Sequence, residues 1–324
     1  MDGRSFLHSA HAETDMVYVQ GHRGARGVLP ENTLPGFAYA LSLGIHSLEL
    51  DVLLTRDNII VATHNTSLHP DTTRTRSGEW VGADAFEIRN LTLEQLQSFN
   101  VGSCRSGSTY QQRFNEQRSL DFAAIPALTD VFKLLLEPQH KLAWLNIEVK
   151  SDPINPEIAT PIKVIAKQLA DSIKEFGLER RVSVQSFDWN LCLEMQRLAP
   201  HITTSYLTSV GPEDQYGSNN IYPNSPWMGP LANAHLESSL PEVIAKSGGK
   251  MWAPYFDNLT KADMDIARNL GLITYVWTVN DLADVDRMID LGVHGIISDY
   301  PLEVLTHLHA QGRAASSLQR QSLC

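Results

Sequence analysis

Eight short runs rich in Val, Ile, Leu and aromatic residues recur along this chain of 324 residues, and most are separated by enough sequence for one helix. They are MVYVQ at 16–20, HSLELDVLL at 46–54, LAWLNIEV at 142–149, RVSVQSF at 181–187, TTSYLT at 203–208, KMWAPY at 250–255, LITYVWTV at 272–279 and GIIS at 295–298. Runs of this length and composition, bounded by turn residues, read as strands. Helix signals lie between them. One helix starts after Asn32 and Thr33, carries Pro35 in its first turn and ends at Gly44. Another runs from Thr260 to near Gly271, and a third follows Asn280 and Asp281 and ends at Gly292. A polar N-cap and a glycine after the last turn are the ends that helices prefer. Eight alternations of strand and helix predict an α/β fold of the (β/α)₈ barrel type, which reaches this length as a single domain. A doubly wound open sheet is the competing architecture, but no G-x-G-x-x-G opens a helix after the first strand.

Two segments break the beat. Residues 66–125 contain polar, glycine-rich pieces such as VGSCRSGSTYQQRF and read as an insertion after the second barrel unit, within a single domain whose core spans about 17–305. Residues 209–238 are rich in Pro, Gly, Asn and Ser, and long excursions of this kind are commonly lids or specificity loops.

Charge narrows the partners. There are 26 Lys and Arg against 37 Asp and Glu, a formal net charge of −11. Such a surface disfavours nucleic acid and anionic membranes. No apolar run approaches the ~20 residues of a membrane span. The N-terminus lacks the apolar stretch of a secretory leader, although AHA at Ala10 to Ala12 fits a small-x-small cleavage site. Cys104, Cys192 and Cys324 are odd in number and widely spread, as free thiols would be.

Against this acidic background, certain polar residues sit at strand ends, where an α/β barrel builds its active site. Residues two apart share a strand face, so Glu49 and Asp51 point one way while Leu48, Leu50 and Val52 point the other. Two carboxylates on one buried face repel and are both desolvated. A hard divalent cation, Ca²⁺ or Mg²⁺, resolves that conflict with oxygen ligands. Asn146, Glu148 and Lys150 repeat the device on the third strand: Glu148 is a candidate third carboxylate and Lys150 a candidate anion ligand, a rim salt bridge being the plainer alternative. His22 ends the first strand and His64 ends the short β-like run NIIVAT. Beside a carboxylate-bound cation two histidines can form an acid and base pair, although a lone histidine is more often structural. Gln185, Ser186, Tyr255, Trp277, Asn280 and Asp299 lie at later strand ends.

The stretch GHRGARGVLPENTLPGFAYALSLGIHSLELDVLLTRDNIIVATHN, followed in order by IPALTDVF, NIEVK, VQSFDW, VWTVN and GIISDYP, resembles the glycerophosphodiester phosphodiesterase family over roughly residues 17–305. The resemblance implies a divalent-metal enzyme that hydrolyses glycerophosphodiesters to sn-glycerol 3-phosphate and an alcohol. It implies Glu49, Asp51 and Glu148 as metal ligands, and His22 and His64 as the catalytic pair, with His22 the base. Arg23 and Lys150 would hold the phosphate, with Gln185 and Trp277 added as substrate contacts. Glu31 and Asn32 would brace the first loop. Its glycines are expected to let backbone approach the ligand. The partner is then a small-molecule diester, with no nucleic acid and no stable membrane insertion; cytoplasmic and exported members both exist. Trp227, in the 209–238 loop, could stack on a choline ammonium. One residue departs from the family pattern: Asn65 stands where many members carry Asp, which would lower the basicity of His64. Two other readings compete, a sphingomyelinase D-like phospholipase and a non-catalytic phosphodiester-binding barrel.

Overall fold

The structure is a computed structural model and describes residues 16–83, 85–155, 161–211 and 219–314. The AHA stretch and Cys324 lie outside the described residues; Cys104 and Cys192 are free thiols. All eight expected strands form. In chain order the strands are β1 (Tyr18–Gly21), β2 (Ser47–Leu54), β3 (Ile60–Ala62), β4 (Trp144–Val149), β5 (Val182–Ser186), β6 (Thr203–Thr208), β7 (Met251–Pro254), β8 (Ile273–Val276) and β9 (Gly295–Ser298). The eight strands other than β3 run parallel to one another, and β1 pairs with both β9 and β2, which closes an eight-stranded barrel. β3 is a short antiparallel partner hairpinned onto β2.

The helices are α1 (Leu34–Ser42), α2 (Leu93–Leu96), α3 (Thr109–Arg113), α4 (Leu128–Leu135), α5 (Ile162–Glu175), α6 (Trp189–Leu198), α7 (Leu240–Lys246), α8 (Lys261–Asn269), α9 (Leu282–Leu291) and α10 (Pro301–Ala310). The caps read from sequence act as such. Thr33 Oγ1 accepts from Gly36 N, Thr260 Oγ1 from Asp263 N, and an Asp281 carboxylate oxygen from Ala283 N. No helix among the described residues is long and apolar enough to cross a membrane.

Burial on both faces explains why the strands read as near-continuous apolar runs. Leu48, Leu50 and Val52 face the outer helices and join the large core there. Tyr18, Trp144, Met251, Ile273, Tyr275 and Ile297 fill the barrel interior. A polar layer crosses the interior at Asn146, whose amide donates to Gln20 Oε1 (3.1 Å) and Gln185 Oε1 (2.8 Å) while Ser183 donates to its oxygen (2.7 Å).

The segment 66–125 leaves β3 and returns at α4, carrying α2 and α3. Leu68, Val81, Ile88, Leu96, Phe99 and Ile125 make a separate apolar cluster that rests on Leu53 of β2 and Val61 of β3. Its ends are stitched together: Ala62 N donates to Pro126 O (2.9 Å), and Val61 bridges to Ala127.

Candidate active site

The register of two strands gathers the carboxylates. Asp51 of β2 lies opposite Glu148 of β4, and Glu49 lies opposite Asn146. Oxygens of Glu49, Asp51 and Glu148 all fall within 4.8 Å of one another, and all three residues are buried. Burial pushes Glu49 well above the usual carboxylate range, with the charges of Asp51 and Glu148 adding to it. Burial also raises Glu148, against the pull of Lys150. Asp51 goes the other way: burial opposes its ionisation, but Lys150 and Arg23 together hold it well below the usual range. Lys150 Nζ stands 3.0 Å from Asp51 Oδ1 and is bonded to Glu148 Oε1; Arg23 Nε stands 3.1 Å from Asp51 Oδ2. Asn32 clasps Asp51 from the first loop, donating to Oδ2 (3.0 Å) and accepting from the Asp51 backbone N–H (3.3 Å).

The first loop is shaped to deliver these groups. Arg23 has φ +50°, a left-handed conformation that costs a non-glycine residue about 1–2 kcal/mol. Its backbone N–H donates to Glu49 Oε2 (2.9 Å), while its guanidinium reaches both Asp51 and Glu31. Two of the glycines allow close packing within the protein. Gly24 has φ +90° and lies against the backbone of Gly36, and a Cβ on Gly27 would meet the Tyr300 ring at 2.3 Å. What these glycines accommodate is the protein itself.

His22 follows directly on β1, next to β9. Its Nδ1 bonds Asp299 Oδ1 (2.7 Å), and its Nε2 lies 3.8 Å from Glu49 Oε2. Asp299 also accepts from Arg26 Nε (2.9 Å) and Nη2 (3.1 Å), and from Asn280 Nδ2 (2.8 Å). Facing a carboxylate, Nδ1 carries the proton and Nε2 keeps its lone pair. Burial, reinforced by the Arg26 charge and opposed by Asp299, lowers the His22 pKa to about 4. His64 Nδ1 meets Asn65 Oδ1 at 2.5 Å. Burial and the charges of Arg23 and Lys150 hold His64 well below its ordinary range. Asn65 therefore orients the ring but brings no charge to it.

One cleft of about 450 Å³ is lined by His22, Arg23, Glu49, His64, Glu148, Lys150, Gln185 and Trp277. Gln185 donates to Glu49 Oε1 (3.3 Å). The Trp277 indole N–H donates to Ala253 O (2.8 Å), and its ring, packed against Phe187 and Tyr255, borders the cleft. The inserted segment closes one side with His69, Tyr110, Arg113 and Phe114. Trp227 does not line this cleft: its 3₁₀ turn, Pro226–Leu231, packs onto α6 through buried Met228 and a bond from Asn190 Nδ2 to Pro226 O (3.3 Å). The choline-stacking expectation thus loses its residue.

Residues 22–303 match the model of the glycerophosphoryl diester phosphodiesterase family. The chain belongs to that family. A glycerophosphodiester phosphodiesterase of Caldanaerobacter subterraneus is 28% identical over 294 residues, covering 91% of this chain and 98% of the relative. A crystal structure assigned as a glycerophosphoryl diester phosphodiesterase of Silicibacter pomeroyi is 33% identical with a TM-score of 0.84, covering 96% of this chain and 99% of the other. A phosphodiesterase of Oleispira antarctica, solved with sn-glycerol 3-phosphate, shares the fold at 20% identity and a TM-score of 0.65, over 91% of this chain and 97% of its own.

The residues of this phosphodiesterase fit a hard divalent cation. The donor set is all oxygen, three buried carboxylates converge within 4.8 Å, and only the Lys150 ammonium, 3.0 Å away, faces Asp51 Oδ1. Charge repulsion in the cluster also yields a prediction. Glu148→Gln keeps an oxygen for Lys150 but removes one of three crowded charges. In chelator its melting temperature is expected to equal or exceed that of the parent, whereas the rise on adding Ca²⁺ or Mg²⁺ should vanish. Thermal unfolding with and without the ion checks both; a large loss of stability in chelator would show that Glu148 is needed as a charge without any metal.

Sequence reading missed Arg26 and Tyr110 and gave Asp299 no role. Asp299 was visible only as a polar residue at the end of β9. Barrel closure was the signal that could have joined it to His22, since His22 N donates to Ser298 O (2.8 Å). Arg26 and Tyr110 carried no signal of their own.

Proposed function

We propose that this phosphodiesterase hydrolyses glycerophosphodiesters to sn-glycerol 3-phosphate and an alcohol, with a divalent cation held by Glu49, Asp51 and Glu148. The observation that carries this reading is a buried cluster of three carboxylates, two of which line one cleft with two neutral imidazoles and two cationic side chains, in a family member. When bound, the cation supplies Lewis-acid stabilisation of charge developing on the phosphoryl oxygens. Arg23 and Lys150 hold the diester anion and offset the same charge. Gln185 fixes Glu49 beneath, and the ring of Trp277 bounds the organic part of the substrate.

His22 is the base. Its imidazole is neutral over the physiological range, and Asp299 stabilises the imidazolium that forms when Nε2 takes a proton from the nucleophile. His64 is the acid for the leaving oxygen. Burial, together with the charges of Arg23 and Lys150, depresses its proton affinity, and an anionic substrate would counter those two charges. Asn65 gives no such help. Glycerophosphocholine, glycerophosphoethanolamine and glycerophosphoglycerol all present the required glycerol phosphate.

The deciding experiment measures sn-glycerol 3-phosphate released from these three diesters. The protein is stripped by chelator, then restored with Ca²⁺, Mg²⁺ or Mn²⁺. Release is expected only with an ion present. No release with any ion, from protein shown to be folded, would overturn the reading and favour a barrel that only binds phosphodiesters.

A further inference from the structure

The inserted segment reaches further into the site than a wall would. We infer that Tyr110, supplied by that segment, is a positioning residue that sets the Arg23 guanidinium through Glu31. The inference rests on the reading of Arg23 as a phosphate ligand.

Glu31 stands between the two. One of its oxygens accepts from Arg23 Nη1 (2.8 Å) and the other from the Tyr110 hydroxyl (2.7 Å). A guanidinium is a rigid planar fork. Nε lies 3.1 Å from Asp51 Oδ2 without a hydrogen bond to it, so the directional hold on the fork is the bond from Nη1 to Glu31. The Asp51 side belongs to the carboxylate cluster; the Glu31 side is held by the insertion. Glu31 remains anionic in this setting: burial opposes its charge, but Arg23 and Arg26 bring its pKa down to about 2.

Tyr110 is itself held firmly. Its ring packs between His69 (5.8 Å between centroids) and Phe114 (5.0 Å). Phe114 lies under the Arg26 guanidinium (4.6 Å). Gln117 of the same segment donates to Arg26 O (2.6 Å) and reaches the Tyr110 hydroxyl (3.4 Å). The segment therefore grips the first loop at its backbone, at Arg26 and at Glu31. Only the last of these contacts leads to a group that faces the phosphate.

A docking residue and a positioning residue make different predictions for Tyr110→Phe, which keeps the ring and removes the hydroxyl. Positioning predicts that affinity for inorganic phosphate, read by calorimetry, falls about tenfold, and that kcat/KM falls about 10- to 100-fold, since small misplacements of a binding group have effects of this size. The unfolding temperature should fall only modestly, because Glu31 keeps its bond from Arg23. Glu31→Gln should reproduce the defect, and the double variant should fall no further than Glu31→Gln alone, because both changes cut one path. Wild-type phosphate affinity in Tyr110→Phe, or losses that add in the double variant, would overturn the inference. Should the parent protein turn over no diester, the functional reading fails by itself; phosphate affinity still decides the role of Tyr110.

Discussion

His22→Ala is expected to lower kcat by roughly 10²- to 10⁴-fold, the usual worth of a positioned proton-transfer group. The fold should survive, because Asp299 keeps both bonds from Arg26 and the one from Asn280. Metal-dependent stabilisation should survive as well, since the three carboxylates are untouched. The pH dependence gives a second check. Buried and beside Arg26, native His22 takes up a proton only near pH 4, whereas the unfolded chain takes one near its ordinary value of 6.5. The unfolded state thus binds more protons between these values, and stability falls as pH drops from about 6.5 towards 4. Asp299 and Glu31, both held below their ordinary values, extend the loss to lower pH. His22→Ala should reduce this decline by the His22 share and leave that of His64, which burial and the charges of Arg23 and Lys150 also hold below its ordinary value. Unfolding midpoints across pH 4–7, beside kcat at neutral pH, measure both effects. Near-parental kcat in His22→Ala would remove His22 from the chemistry.

Asp299→Asn should damage stability and turnover together. Asp299 is fully buried and neutralises Arg26, whose next carboxylate, Glu31, is 3.9 Å away. Removing one member of a buried ion pair leaves the other charge uncompensated, at a cost of about 3–5 kcal/mol. The amide also has one oxygen for donors that now share two. If its nitrogen faces His22, Nδ1 becomes an acceptor and Nε2 takes the proton, which removes the base. A fall in kcat on the order of 10³ follows from a wrong tautomer in a site of this kind. Denaturant unfolding and steady-state kinetics separate the two effects. Unchanged stability would mean that Arg26 draws its compensation from Glu31.

Much of this site was legible because it rests on local rules. The two-residue period put Glu49 and Asp51 on the inner face of β2, and the in-line pairing of β2 with β4 brought Glu148 beside them. His22 and Lys150 could be placed because strand ends are where such a barrel keeps its chemistry. Strand limits held less well. The run 272–279 is strand only as far as Val276, and 250–255 only from Met251 to Pro254, since an apolar run does not say where pairing stops. The contacts that tune the histidine were out of reach for a different reason. His22 and Asp299 are 277 positions apart and meet only when the barrel closes. Tyr110 reaches Glu31 across 79 positions, from a segment without strand or helix periodicity to guide its placement. The packing role of the first-loop glycines was not legible, because their crowding comes from Gly36 and Tyr300, which no local pattern reveals.

The stitched ends of the inserted segment have an evolutionary consequence. Because Val61 and Ala127 are bridged, the segment is a loop whose exit and return are fixed by the barrel, whatever lies between. Doubling the length of a flexible loop with fixed ends costs only about 0.6 kcal/mol in closure entropy. Lineages can therefore lengthen, shorten or exchange this wall while the strand register, and with it the carboxylate cluster, stays intact. The carboxylate floor and the inserted wall can drift at separate rates. Their shared joint is the first loop, where a replaced wall would have to find a new hold on Glu31.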